Sequence, residues 1–210
     1  MQLNPEMYAA YQMRFDVQLR VSRMFSAQTV AEPRQDGFLR YSEDMKSQST
    51  HVRTLSNVEK AALPASICAD IELDLVEIHR RKWTPFTPYY VSVVRGNKVY
   101  YPNDPGPSGH PLHLAHLVHE VVHVWQYLHL GVSLFDPQWV YDRRYRYHLN
   151  DGDIFRSFGL EQQAAIAEDS FRIQNGLAYR WARNKPSTRL LDHTVSRCNA
   201  PVNLPIAWRA

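Results

Sequence analysis

Cysteine is scarce in this 210-residue chain: Cys68 and Cys198 are the two present. They stand far apart and fit no metal-ligand spacing, so a disulfide framework and a cysteine-held zinc ribbon are both excluded. Two unpaired, mostly buried thiols are expected, with one long-range disulfide between them as the alternative. Long apolar runs are missing as well. No stretch approaches the ~18 consecutive apolar residues of a membrane span. Met1 to Arg23 intersperses Asn4, Glu6, Arg14, Asp16 and Arg20 among its apolar residues, which leaves no signal-peptide core. A soluble chain made in the cytoplasm is expected, with any export by a route that ignores cleavable signals. Nor is there much excess charge. Lys+Arg 24 against Asp+Glu 21 gives a formal net charge of +3, too little and too scattered for a nucleic-acid partner. The short clusters Arg80-Arg81-Lys82 and Arg143-Arg144 with Arg146 are expected to be solvated faces.

What is present is a globular composition. Hydrophobic residues make up 44% of the chain, and 12 Tyr, 8 Phe and 5 Trp argue against disorder throughout. The length suits one compact domain with a sizeable core. Met7, Tyr8, Tyr11, Phe15, Leu19 and Met24 recur near helical spacing and predict an amphipathic helix over 5–25. Residues 31–55 turn polar and predict a long loop. We therefore divide the chain into an amino-terminal helical arm and polar loop over 1–53 and a main domain over 54–210. Ser56 with Glu59 is a capping box opening a short helix that Pro64 interrupts. Leu75 to His79 is a strand candidate. Tyr89 to Val94 passes through Arg95-Gly96-Asn97-Lys98 into Val99-Tyr100-Tyr101, a hairpin pattern. Pro102 to Pro111 is irregular. Leu112 to Leu130 predicts a buried helix stopped by Gly131, and Leu160 to Gln174 a second one stopped by Asn175-Gly176. The prolines at 186, 201 and 205 predict an irregular tail. The fold class expected is α+β, with a small antiparallel sheet or hairpin packed on the first helix.

That first helix carries the chemistry. His119, Glu120 and His123 form a His-Glu-x-x-His pattern, and positions i and i+4 lie about 40° apart around a helix and one turn along it. Both imidazoles can then grip one metal ion. Glu120, about 100° round from His119, stands beside the ion, placed to take a proton from its water. The motif sits in a run whose other faces are Leu114, Leu117, Val118, Val121, Val122, Val124 and Leu128. A buried polar trio with no compensation would cost several kcal/mol, and a metal is the natural compensation.

A third ligand is expected from the later helix, where Glu161 and Glu168 share a face. We favour Glu161, because Ala164 and Ala165 behind it let the two helices approach. The other carboxylate would orient a histidine, a role open to Asp169 too. His110, His113 and His116 are expected at the pocket rim, not as ligands. Tyr145, Tyr147 or His148 is placed to donate to an oxyanion.

Several pieces together resemble the Rhs- or Vgr-related zinc-metallopeptidase-like proteins of bacterial type VI secretion. They are Thr54-Leu55-Ser56-Asn-Val-Glu59, Val76-Glu-Ile78-His79, Lys98-Val-Tyr-Tyr101-Pro102, His119-Glu120-Val-Val-His123-Val-Trp125-Gln126, Tyr145-Arg-Tyr147 and Glu161-Gln-Gln-Ala164, spanning about 54–175. The resemblance implies a zincin fold of the gluzincin kind, with Zn2+ on His119, His123 and Glu161 and with Glu120 as general base. It further implies an antibacterial effector acting on a protein or cell-wall peptide in a target-cell periplasm, a secretion-apparatus carrier and an immunity protein. One departure stands out: the gluzincin acid four positions after the ligand Glu is Ala165 here. The rival expectation is a silent zinc-containing adaptor in which the metal serves folding alone.

Overall fold

The computed structural model describes residues 52–132 and 144–201. The helix expected over 5–25, and all but the last two residues of the arm over 1–53, lie outside the described residues. The first element seen falls where a polar loop was expected. Strand β1 (Val52–Thr54) pairs antiparallel with β2 (Glu77–His79), Arg53 opposite Ile78. Polarity misleads at an edge strand, because only one of its sides meets the core. β2 runs parallel to β4 (Lys98–Tyr100), and β4 pairs antiparallel with β3 (Val93–Arg95), giving the order β1-β2-β4-β3. The sheet is thus mixed rather than antiparallel.

The hairpin turn sits where expected, with Gly96 at φ 61, a left-handed conformation that glycine adopts at no steric cost. Its first strand is shorter than Tyr89 to Val94. The backbone of 88–91 is spent on a turn, Val91 N–H to Pro88 C=O at 3.1 Å, and the Tyr89 carbonyl accepts from Asn103. Leu75 likewise belongs to a 3-10 turn (Leu73–Leu75) rather than to the strand after it.

The capping box is present. Ser56 Oγ accepts from Glu59 N–H at the start of α1 (Asn57–Ala61), and Glu59 Oε2 accepts from Ser56 N–H at 2.8 Å. Pro64 then precedes the short α2 (Ala65–Cys68). Helix α3 (Pro111–Leu128) opens with Pro at its first position, where the missing N–H is no loss. Every residue from Leu117 to Gln126 in it is buried, the mark of a helix inside a domain. It packs along α4 (Leu160–Gln174), whose last turn closes through Asn175 and Gly176, the latter at φ 72. The tail is not irregular throughout: α5 (Thr188–Ser196), capped by Ser187, packs on α4 and α2 through Leu191 and Val195. Cys68 and Cys198 are both free thiols; Cys198 is buried and Cys68 partly so.

Candidate metal centre

The α3–α4 contact decides where the polar side chains of α3 can go. His119, Glu120 and His123 are all buried on α3, and Glu161, the second residue of α4, is buried opposite them. Ala164 and Ala165, one turn further along, are fully buried, so small residues do lie in this helix contact. Glu161 Oε2 lies 3.4 Å from Nε2 of His119 and 3.3 Å from Nε2 of His123. Charge-assisted N–H···O bonds close to about 2.7–2.9 Å. Donor atoms held at about 2.0–2.1 Å around a tetrahedral zinc ion stand about 3.3–3.4 Å from one another. The separations therefore fit a shared ion better than a direct bond, and His119, His123 and Glu161 form the cluster among the described residues able to hold one.

Each imidazole has a polar group behind it, a hydrogen-bond partner at His123 and a carboxylate in ion-pair range at His119. Nδ1 of His123 lies 2.8 Å from Gln126 Oε1. The Gln126 amide nitrogen donates to the Leu160 carbonyl at 2.9 Å and to Gln163 Oε1 at 3.0 Å. With both its donors spent there, the oxygen must face His123, which fixes the proton on Nδ1 and turns the Nε2 lone pair to the cluster. Nδ1 of His119 lies 3.2 Å from Glu168 Oε2. So the two acids of α4 divide the roles: Glu161 faces the converging nitrogens and Glu168 backs one ring. Asp169 does not orient a histidine. Its carboxylate accepts from Tyr147 OH and from the backbone N–H groups of Arg180, Trp181 and Ala182. It thereby pins the segment that brings Arg180 and the Trp181 indole onto Glu168, at 3.0 and 2.7 Å.

Burial alone would push the Glu168 carboxyl up. Contacts from His119, Arg180 and Trp181 outweigh it and hold the group at about 2. Burial would likewise depress His119, yet Glu161 and Glu168, with the field of Glu120, push it up to about 10. A pocket with that much negative potential favours a cation, and a metal ion meets the same demand with the proton displaced.

The other sequence-derived candidates separate. His110 caps α3, its Nδ1 accepting from Leu112 N–H. His113 is buried away from the cluster, 3.0 Å from Glu59 Oε1. His116 alone flanks the site: its Nε2 lies 2.9 Å from Ser92 Oγ and 3.6 Å from Glu120 Oε1. Tyr147 is committed to Asp169 and buried, so it is no oxyanion donor, and His148 is exposed. Tyr145 stacks on His119 with ring centroids 5.7 Å apart and on Trp181 at 4.7 Å. Sequence reasoning missed Gln163, Arg180 and Trp181, and gave Gln126 no role. The i+3 spacing of Gln126 from His123 could have found it; the loop residues carry no such signal.

No protein-family model and no curated protein matches the sequence. Among solved structures, the effector domain of Pseudomonas aeruginosa VgrG2b is similar. The TM-score is 0.51 and the identity 19%, covering 66% of this chain and 85% of that one. At that identity the likeness speaks for the fold.

Proposed function

We propose that this chain is a zinc-dependent amide-bond hydrolase, a metallopeptidase-like effector of type VI secretion acting on a protein or cell-wall peptide. One juxtaposition carries the reading: two imidazole nitrogens 3.3 and 3.4 Å from one carboxylate oxygen, with Glu120 next to His119 in the chain. His119, His123 and Glu161 would hold the ion. A mixed imidazole and carboxylate set suits zinc, whereas Mg2+ and Ca2+ take oxygen shells. Among the described residues no fourth His, Cys, Asp or Glu joins the three, the pattern of sites that keep a position for water or substrate. When bound, the ion supplies a Lewis acid that makes water acidic and polarises a carbonyl.

The remaining work falls to this chain's own groups. Glu120 takes a proton from the attacking water and returns it to the leaving amine. Tyr145, whose ring lies on His119, keeps the oxyanion assignment that Tyr147 loses. β4 is flanked on both sides by strands, so an extended substrate has no edge to pair with there. β3 is the end strand of the sheet and touches α3, and substrate backbone would add to it. The effector role, with a carrier and an immunity protein, is supported by the sequence resemblance and by a fold shared with an effector domain.

The test is Glu120→Gln. Zinc content should stay at the wild-type level, while hydrolysis of a denatured protein or of purified sacculi falls by about 10²–10⁴-fold. A variant that hydrolyses at the wild-type rate rejects the assignment. Zinc-loaded wild type inert on both substrates would favour the adaptor.

A further inference from the structure

We propose that the loop joining β2 to β3, residues 80–92, docks on an anionic lipid surface. Phe86 is 91% exposed, with Trp83 and Tyr89 exposed on either side of it in sequence, at 38% and 51%. Scattered single apolar residues on a surface are ordinary, but three aromatic rings within seven residues are a group. The loop is built to present them. Thr84 N–H donates to Thr87 Oγ1 at 3.1 Å, Thr87 N–H returns to the Thr84 carbonyl at 3.0 Å, and Lys82 Nζ reaches the Pro85 carbonyl at 2.5 Å. Thr87 is thereby buried while its neighbour Phe86 stands in water.

Charge points the same way. Between residues 77 and 98 the one acid is Glu77, and His79 and Lys98 already engage it. Among the described residues Arg80, Arg81, Lys82 and Arg95 pair with no carboxylate. Nη1 of Arg95 is buried with no hydrogen-bond partner. The cluster Arg80-Arg81-Lys82 is exposed at Arg80 and Arg81, as a solvated face requires, and it stands uncompensated next in sequence to the exposed rings.

Polarity is ordered along the loop. Cations come first (Arg80 to Lys82), then Trp83, then Phe86 at the middle, then Tyr89, then Arg95 at the far foot. A bilayer imposes that order with depth: cations at the headgroups, Trp and Tyr at the interface, Phe at the acyl boundary. Single-stranded nucleic acid would need open aromatic faces for its bases. Here Arg95 lies over the Trp83 ring at 4.5 Å, which takes one of the three. An acidic protein would meet the cations but has no use for a ring held out at the loop's centre.

The test is co-sedimentation of the full chain with vesicles of mixed phosphatidylglycerol and phosphatidylcholine, beside vesicles of phosphatidylcholine alone. Binding to the mixed vesicles is expected, weakening as salt rises. Arg81→Ala and Phe86→Ser should each weaken it, the arginine change by roughly fivefold, with wild-type circular dichroism and metal content. No binding to the mixed vesicles at low salt overturns the proposal. So does binding that both variants retain, which would place the contact elsewhere in the chain. Equal retention on an acidic polymer such as polyglutamate, indifferent to Phe86→Ser, also overturns it in favour of an acidic macromolecule. None of these outcomes depends on hydrolase activity, so docking and turnover can fail separately.

Discussion

Helix α3 buries histidine beside glutamate at both of its ends, with opposite results. At the amino-terminal end His113 meets Glu59, whose carboxylate also accepts two bonds of 2.8 Å from Arg53 and one from Ser56 N–H. Arg53 at the same time grips Asp104 at 2.7 and 2.8 Å. The carboxylate is closed by its own guanidinium: short bonds and opposite charges leave it no oxygen turned to an ion. In the carboxy-terminal half His119 and His123 face Glu161 at 3.3–3.4 Å, and the guanidinium nearby, Arg180, is bound to Glu168 instead. Buried His and Glu are common to both. Convergence of lone pairs at ligand spacing, with the protein's own cation held one layer away, is found at one.

The difference is broken most sharply at Glu161. Glu161→Ala and His123→Ala should each take up far less zinc than wild type by elemental analysis, and chelator, expected to lower the melting temperature of wild type because binding to the folded state alone adds stability, should leave theirs unchanged. His113→Ala should keep its zinc. If His113→Ala loses as much metal as Glu161→Ala, the two ends are one network and the contrast fails.

A smaller effect is expected one layer out. Gln126→Ala leaves all three donors in place but frees the His123 ring to rotate and to choose the other tautomer. Zinc affinity should fall by about 10–100-fold, measured by competition with a chromogenic chelator. An unchanged affinity would mean that helix packing alone orients His123.

How much of this could be read from the residues depends on the range of the interaction concerned. α3 and α4 were legible because their signals are local: Pro111 and Gly131 bracket one, Asn175-Gly176 stops the other, and apolar residues fill the period between. The side-by-side placement of His119 and His123 follows from helical geometry, and the position of Glu161 from two alanines that let a neighbour approach. The parallel pairing of β2 with β4 left no mark, since nothing in three-residue strands encodes a partner twenty residues away. α5 was hidden by the prolines on either side of it, at 186, 201 and 205, although Ser187 followed by Leu190, Leu191, Thr194 and Val195 is a cap and an apolar stripe. Arg180 and Trp181 reach Glu168 because Asp169 holds their backbone, a contact between segments that share no local pattern.

The self-closed end gives the smallest and cleanest test, through acid. Burial would raise the Glu59 carboxyl, but bonds from Arg53, His113 and Ser56 hold it at about 2, below its ordinary 4.5. A carboxyl more acidic in the fold than in the open chain adds stability that is complete above its unfolded value. That contribution is lost as pH falls from about 4.5 through about 2. At neutral pH the full shift is worth about 3 kcal/mol, of which solvent screening around the part-exposed Arg53 leaves about 2 kcal/mol. Glu59→Gln should lower the unfolding free energy read from urea titration near neutrality by that amount and flatten its fall between about pH 5 and pH 3, since the amide has no proton to gain. Glu168, also held at about 2, titrates in the same window in both proteins, so the difference between the two acid curves belongs to Glu59. Zinc content near neutral pH should match wild type. Equal acid slopes would mean that the ion pairs around Arg53 contribute nothing beyond what water gives the separated groups, and the closed end of α3 would then owe its order to packing alone.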